Sequence, residues 1–169
     1  MPSGEAAVTL DARTAWAALA AVPDPEIPAI SIVDLGIVRD VDCADGRVEV
    51  TVTPTYAGCP ATELINEDIR RALRAAGASE VHIHTRLAPA WTTDWLSEAA
   101  KARLAASGIA PPHTRAPDAA QPLVFRPRIP CPRCGSPHSE RLSAFGATAC
   151  KALYRCLDCR EPFEYFKPI

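Results

Sequence analysis

Two pairs of cysteines near the C-terminal end constrain the fold of this 169-residue chain more than any other feature. The pairs are Cys131–Cys134 and Cys156–Cys159, each spaced C-x-x-C, with 21 residues between them. A tight C-x-x-C turn directs both sulfurs at one tetrahedral centre, and two such turns complete a four-cysteine site that has no open position. Residues 128–169 are too few to fold by apolar burial alone, so a bound metal must supply much of the folding free energy. The pattern predicts a zinc ribbon with a structural Zn²⁺.

The same four thiolates can instead hold iron, as in a rubredoxin-like electron carrier. Against that alternative, only the first pair has the C-P-x-C-G form. Cys150 and His138 lie close to the pairs in the sequence, and we interpret both as non-ligands. Strands of the ribbon are expected at Ala152–Arg155 and Pro162–Phe166, around the second pair.

Charge is distributed unevenly along the chain. Residues 1–122 hold 10 Lys/Arg and 16 Asp/Glu, a net of −6, whereas residues 123–169 hold 8 and 4, a net of +4. Four thiolates on one divalent metal would add about −2 to the second part, so no nucleic-acid partner is expected. The sequence shows neither a leader pattern nor an apolar run of membrane-spanning length, which predicts a cytoplasmic protein with no membrane partner. In that compartment C-x-x-C pairs favour metal binding over disulfides.

A change of composition marks the expected domain boundary. Six of the seventeen prolines fall within residues 110–130, which is typical of an extended, semi-rigid linker. We therefore predict an α/β (α+β) domain over residues 9–108, a linker over 109–127 and the ribbon module over 128–169.

The first domain is predicted to contain a short mixed sheet packed by helices. Helical spacing of apolar residues predicts a helix from about Asp11 to Ala21 with Asp11 as its N-cap, and the prolines of residues 22–28 end it. A strand at Ile37–Asp42 is followed by an Asp-Gly turn signal at residues 45–46. Alternating valines at 48, 50 and 52 then predict the second strand of a hairpin with one buried face.

A second helix, a third strand and a third helix should follow. The helix is expected over Pro60–Ala76, because its apolar residues lie on one broad face and Gly77 is a good stop. That face comprises Ala61, Leu64, Ile65, Ile69, Ala72, Leu73 and Ala76. The strand is expected over residues 81–87, with Val81, Ile83 and Leu87 inward and His82, His84 and Arg86 on an exposed polar face. The third helix should run from Thr92 or Thr93 to about Ser107, with Trp91 and Trp95 as core anchors.

Cys59 lies at the corner between the hairpin and the second helix. Pro60 suits the first helical position, which predicts Cys59 at the N-cap. Unpaired N–H groups and the helix dipole would stabilise a thiolate there, making the sulfur a nucleophile or a metal ligand. The alternative, that Cys59 is a small buried apolar residue, remains open on these residues alone.

Several stretches together resemble a known family. They are Asp24–Pro28 (DPEIP), Asp34–Val38 (DLGIV), Thr53–Ala61 (TPTYAGCPA) and Trp91–Trp95 (WTTDW), which resemble the iron–sulfur assembly domain of the SufT and MMS type, and Phe145–Cys156 (FGATACKALYRC) in the ribbon. The combination, from Trp16 to Lys167, resembles the family of phenylacetyl-CoA epoxidase D subunits, called PaaD or PaaJ.

The resemblance implies an accessory or maturation factor rather than an enzyme. It would assist insertion of an Fe–S cluster or iron into the reductase or oxygenase components of phenylacetyl-CoA epoxidase, in aerobic phenylacetate catabolism. Cys59 would be the reactive cysteine, carrying the cluster or iron transiently, and Asp24, Glu26 and Asp34 the supporting acidic residues. Partners would be those components, Fe–S assembly proteins, or a second copy of the chain in a homodimer. A non-catalytic structural subunit of the epoxidase is the alternative.

Overall fold

The computed structural model describes residues 10–113 and 128–169, and the chain divides into two compact units. The first unit ends at Trp91 and the second begins at Thr92. The predicted boundary after residue 108 is therefore too late, because residues 109 and 110 form a strand in the sheet of the second unit. Residues 114–127 of the predicted linker lie outside the described residues.

The first unit contains two helices and a three-stranded mixed sheet, which confirms the predicted fold class. The elements are α1 (Ala12–Ala20), β1 (Val38–Ala44), β2 (Arg47–Val52), α2 (Thr62–Ala75) and β3 (Glu80–Thr85). The strand order is β1-β2-β3, with β1 antiparallel and β3 parallel to β2. Helix α1 contacts α2 and β1, and α2 contacts β3.

Local sequence accounts for the start of α1 and for the hairpin. The Asp11 side chain accepts the Thr14 N–H at 2.7 Å, which satisfies one of the free donors of the first turn, as predicted. Asp45 and Gly46 both have positive φ, at 50° and 81°, the pairing that a two-residue turn requires to match the strand twist. The three alternating valines of β2 are buried, so the predicted inward face is confirmed.

Two leucines depart from the predicted inward pattern. Leu64 in α2 is 45 % exposed, although Ile65, Ile69 and Leu73 of the same helix are buried. The buried stripe is therefore narrower than the sequence suggests. Leu87 is 59 % exposed, because β3 ends at Thr85 and the chain leaves the sheet before reaching it.

The second unit is built around a four-stranded sheet with the order β4-β7-β6-β5. Its elements are a 3₁₀ turn (Thr93–Trp95), α3 (Glu98–Ala106), β4 (Ile109–Ala110), β5 (Ser139–Ser143), β6 (Lys151–Cys156) and β7 (Pro162–Phe166). Strands β6 and β7 confirm the two predicted ribbon strands. A buried cluster fills one part of this unit: Ala110, Ile129, Cys131, Ala152, Tyr154, Cys156, Phe163 and Tyr165.

The third helix is shorter than predicted. Thr92 caps only the 3₁₀ turn, and the chain becomes extended at Leu96. Ser97 then caps α3 by accepting the Ala100 N–H at 3.1 Å. Two adjacent capping signals therefore start two separate elements. No helix in the described ranges, 10–113 and 128–169, has the length and apolar character needed to span a bilayer.

Candidate functional site

The four cysteines of the C-x-x-C pairs come together in the second unit. Their sulfur atoms all lie within 4.8 Å of one another. The Cys131 and Cys159 sulfurs are 3.8 Å apart, and those of Cys134 and Cys156 are 3.6 Å apart. Bonds of about 2.3 Å at tetrahedral angles would place thiolate sulfurs roughly 3.8 Å apart. The four residues therefore fit one tetrahedral metal ion.

Backbone N–H groups donate to three of these sulfurs. The N–H groups of Cys159 and Asp158, with a contribution from the Cys134 thiol, lower the pKa of Cys156 to about 6. The Cys134 and Cys159 sulfurs each accept a backbone hydrogen bond, from Ser136 and Glu161, which lowers the thiol pKa, but desolvation and the neighbouring cysteine thiols together raise the pKa of both above the ordinary cysteine value. The backbone hydrogen bonds themselves favour the thiolate, which is the form a metal binds.

Polar contacts outside the sulfurs connect the two C-x-x-C turns. Asp158, in the second turn, accepts hydrogen bonds from the Ser136 hydroxyl and from Nδ1 of His138, the latter at 3.2 Å. The Leu157 N–H donates to the His138 carbonyl at 2.8 Å. These bonds hold one turn against the other and so support the geometry of the sulfur cluster.

Cys150 and His138 lie outside the group of four clustered cysteine sulfurs. The only metal-competent group of three or more side chains among the described residues is the four-cysteine cluster. The Cys150 sulfur is buried and lies 3.0 Å from the Thr148 hydroxyl. The His138 ring nitrogen Nδ1 pairs with the Asp158 carboxylate.

A buried ion pair supports the ribbon sheet, and the sequence analysis missed it. Lys151 in β6 and Glu164 in β7 are joined at 2.7 Å, with only 4 % of the lysine side chain exposed. The other oxygen of Glu164 accepts the Ala147 N–H at 2.8 Å. A Cβ on Gly146 would come within 2.6 Å of that oxygen, so the glycine permits the approach. The stretch from Phe145 to Cys156 therefore has a structural explanation.

Cys59 lies in the loop between β2 and α2 of the first unit and is partly exposed. The prediction that it forms the N-cap of α2 is wrong, since the helix begins at Thr62 and Ala61 is the N-cap. Residues 59–62 form a turn instead, in which the Cys59 carbonyl accepts the N–H of Thr62 at 3.2 Å and its hydroxyl at 2.8 Å. Gly58 precedes the cysteine with φ of 85° and has open space where a Cβ would stand, so the backbone leaves room beside Cys59.

The three acidic residues have different surroundings. Asp24 is buried, and one of its oxygens accepts the N–H groups of Glu26 and Ile27 at 2.9 and 2.8 Å. Asp34 is half-buried and accepts both the N–H and the hydroxyl of Ser31. Both carboxylates thus organise the proline-rich loop. Asp24 is therefore enclosed by the loop, whereas Glu26 is half-exposed.

Trp91 and Thr53 are two further buried side chains of the first unit. Trp91 is buried, and its indole N–H donates to the Leu35 carbonyl at 2.8 Å, which confirms it as a core anchor. Thr53, directly after β2, is buried and its hydroxyl has no hydrogen-bond partner in the described structure. Thr53 and Thr55 are both buried, and the T-P-T run at residues 53–55 is the sequence feature that marks them.

The other cysteine of the first unit has a different environment. Cys43 lies in β1 beside the hairpin turn and is half-buried. Burial, followed by the negative charges of Asp42 and Asp11, raises the pKa of its thiol above 9.0. It is therefore a natural control for Cys59.

Comparisons with known proteins match the two halves of the chain to different domains. Residues 13–84 match the family described as iron-sulfur cluster assembly protein, and residues 116–167 match the PaaD zinc beta ribbon domain. The chain is 32 % identical to a domain of unknown function, DUF59, from Bacillus anthracis, with a TM-score of 0.51. That likeness covers 54 % of this chain and 89 % of the solved structure.

Two curated relatives extend the comparison. An Fe-S protein maturation auxiliary factor of Porphyromonas gingivalis (strain ATCC BAA-308 / W83) is 42 % identical over 88 residues, which cover 51 % of this chain and 83 % of the relative. A protein of Escherichia coli (strain K12), provisionally named as the D subunit of 1,2-phenylacetyl-CoA epoxidase, is 49 % identical over 154 residues, 91 % of each chain. Because this second match spans both domains in the same order, the chain belongs to the PaaD family of epoxidase D subunits, in which an iron–sulfur assembly domain precedes a zinc ribbon.

Proposed function

We propose that this protein is a non-catalytic maturation factor for 1,2-phenylacetyl-CoA epoxidase, working in the cytoplasm. In this proposal it delivers an Fe–S cluster or iron to the reductase or oxygenase components of that enzyme. The observation that carries the proposal is a partly exposed cysteine, Cys59, on the turn between β2 and α2 of an assembly-type domain, in a different unit from the closed four-cysteine site. The names of the relatives support both the maturation role and the link to the epoxidase.

Cys59 is the residue that we propose holds the cargo. Its thiol loses a proton to solvent, and the thiolate then binds one iron atom. One cysteine supplies too few ligands for a stable cluster, so cysteines of a donor or client must complete the coordination. Transfer is then a ligand exchange, in which a client thiolate binds iron as the Cys59 thiolate leaves, with no net change in electrons.

The remaining site residues have supporting roles in this proposal. Asp24 and Asp34 hold the shape of the proline-rich loop, and Glu26 is the acidic side chain available to a client or a metal. The four-cysteine site holds a structural Zn²⁺, through Cys131, Cys134, Cys156 and Cys159. Metal analysis of the purified protein tests the zinc assignment, because a coloured, iron-loaded site would support the rubredoxin-like alternative instead.

The proposal is tested by producing the epoxidase components together with wild-type, Cys59→Ala or Cys59→Ser protein. With either variant, we expect the iron, sulfide and activity of the components to fall to the level found without this protein. Cys43→Ala is the matched control, because it removes a half-buried thiol from the same unit, and it should behave as wild type.

Two results would count against the proposal. Full iron and sulfide content with Cys59→Ala would exclude the cysteine as the carrier. Wild-type protein that remains bound at a fixed ratio to the active enzyme, with no effect on its metal content, would identify a structural component of the complex. Zinc content measured on each variant shows whether the ribbon has stayed intact.

A further inference from the structure

The outer edge of β3 carries unpaired backbone groups. Strand β3 is an edge of the first sheet and pairs only with β2. The N–H groups of Glu80 and Arg86 point towards the hairpin, to the Gly46 and Val52 carbonyls. Because backbone groups alternate in direction along a strand, those of Val81, Ile83 and Thr85 point outward. None of these three N–H groups has a hydrogen-bond acceptor within the described residues.

The polar side chains along this edge follow a self-complementary order. Glu80, His82, His84 and Arg86 alternate along the strand, lie on one face of the sheet and are exposed. Placing two copies of β3 antiparallel about an axis through Ile83 puts Glu80 of each copy opposite Arg86 of the other. The same register puts His82 opposite His84. Glu80, which also lies 3.1 Å from Arg47 and 2.9 Å from His82 of its own copy, would thus gain Arg86 of the other copy as a further partner, and no carboxylate would face a carboxylate.

Backbone direction selects the same register. An axis at Ile83 places the outward N–H and C=O groups of Ile83 opposite the same groups of the second copy. It places those of Val81 opposite those of Thr85. Such an antiparallel ladder can form about six hydrogen bonds between the copies. On the opposite face of the sheet the half-buried Ile83 would contact its own copy, which adds apolar contact at the centre.

The other edge of the sheet is unsuited to self-pairing. Strand β1 carries a register shift between Val38 and Asp40, of the kind that interrupts edge pairing. Asp40 and Asp42 of this strand are exposed, and its one basic residue, Arg39, lies at the register shift and donates to the Gly36 carbonyl at 3.4 Å. Two copies paired there would bring carboxylates together.

We infer that the chain forms a homodimer through antiparallel pairing of β3 with β3 of a second copy, giving one continuous six-stranded sheet. The inference is independent of the proposed cargo role. The Cys59 loop follows the carboxyl end of β2, which is parallel to β3. The two loops of the dimer therefore lie at opposite ends of the joined sheet, and each remains open to its own partner.

Analytical ultracentrifugation of the full-length, zinc-loaded chain tests this dimer over a range of micromolar concentrations. Arg86→Glu places Glu opposite Glu in both pairs, and Glu80→Arg places Arg opposite Arg. Each variant alone should weaken self-association by roughly tenfold or more, from the loss of two attractive pairs and the gain of two repulsive ones. Arg13→Glu makes the same charge change on exposed α1 and should leave association unchanged.

Mixing the two variants gives the decisive result. In the heterodimer, Glu80 of the first variant faces the native Arg86 of the second, and the two introduced residues also pair with opposite charge. We therefore expect the equimolar mixture to regain dimerisation, which a variant that merely fails to fold cannot do. A wild-type chain that stays monomeric, or a mixture that stays monomeric while wild type dimerises, would overturn the inference.

Discussion

The two cysteines of the first unit show how similar exposure can accompany different chemistry. Both are half-buried, yet Cys43 is on a strand beside Asp42, whereas Cys59 is on a turn next to a glycine with open space around it. For Cys43, burial and neighbouring carboxylates disfavour the thiolate, which is the reactive form.

We expect Cys43 to react slowly with iodoacetamide at neutral pH. Since its pKa is raised above the ordinary cysteine value, the thiolate fraction and the rate should increase about tenfold per pH unit in the neutral range and should still be rising at pH 9. Peptide mass spectrometry over a pH series measures this rate site by site. A rate that levels off below pH 9 would contradict the assignment.

The Lys151–Glu164 pair is a buried ion pair that joins β6 to β7 in the ribbon sheet. Lys151→Met leaves Glu164 partly buried without its counter-charge, a change that typically costs 3–5 kcal/mol for a fully buried pair and about half of that here, because the carboxylate is 24 % exposed. We expect faster hydrogen exchange of the β6 and β7 amides. Lys101→Met removes a pair in the same unit whose carboxylate, that of Glu98, is 90 % exposed, so it leaves no buried charge and should change exchange little.

At the scale of elements, the sequence predicts best where one local rule decides the structure. Alternating valines and an Asp-Gly turn specify the hairpin, and Asp11 specifies the start of α1. The start of α2 is harder, because Pro60 is compatible both with a first helical position and with the preceding turn. The Thr62 hydroxyl bond to the Cys59 carbonyl stabilises that turn. Strand β4 has only two residues and exists through pairing with β7, a contact far away in the sequence.

Metal removal should separate the behaviour of the two sheets. The β5–β7 sheet adjoins the four-cysteine cluster, whereas β1–β3 has its own buried residues in another unit. We expect a strong zinc chelator to increase hydrogen exchange in β5, β6 and β7 while the amides of β1 and β2 stay protected. Equal loss of protection in both sheets would show that the metal stabilises the whole chain.

At the scale of the molecule, the four-cysteine site was predictable in full, because its spacing specifies its geometry. The division of the chain was not, since a helix and a short strand that precede the proline-rich stretch belong with the second unit. Composition predicts a linker but does not show with which unit its neighbours pack. The Cys59 site was predictable only in part. The sequence identifies the cysteine, but the turn around it is stabilised by the Thr62 hydroxyl, which the sequence pattern does not indicate.

The pairing of β4 with β7 has a consequence for how the protein is made. A ribosome synthesises residues 109–110 long before residues 164–165, the positions with which they pair. During translation the earlier strand must wait without its neighbour, and a message truncated upstream of Pro162 would leave it permanently unmatched. Completion of the second unit is therefore a late event in biosynthesis, whereas the hairpin can form as soon as its two strands emerge.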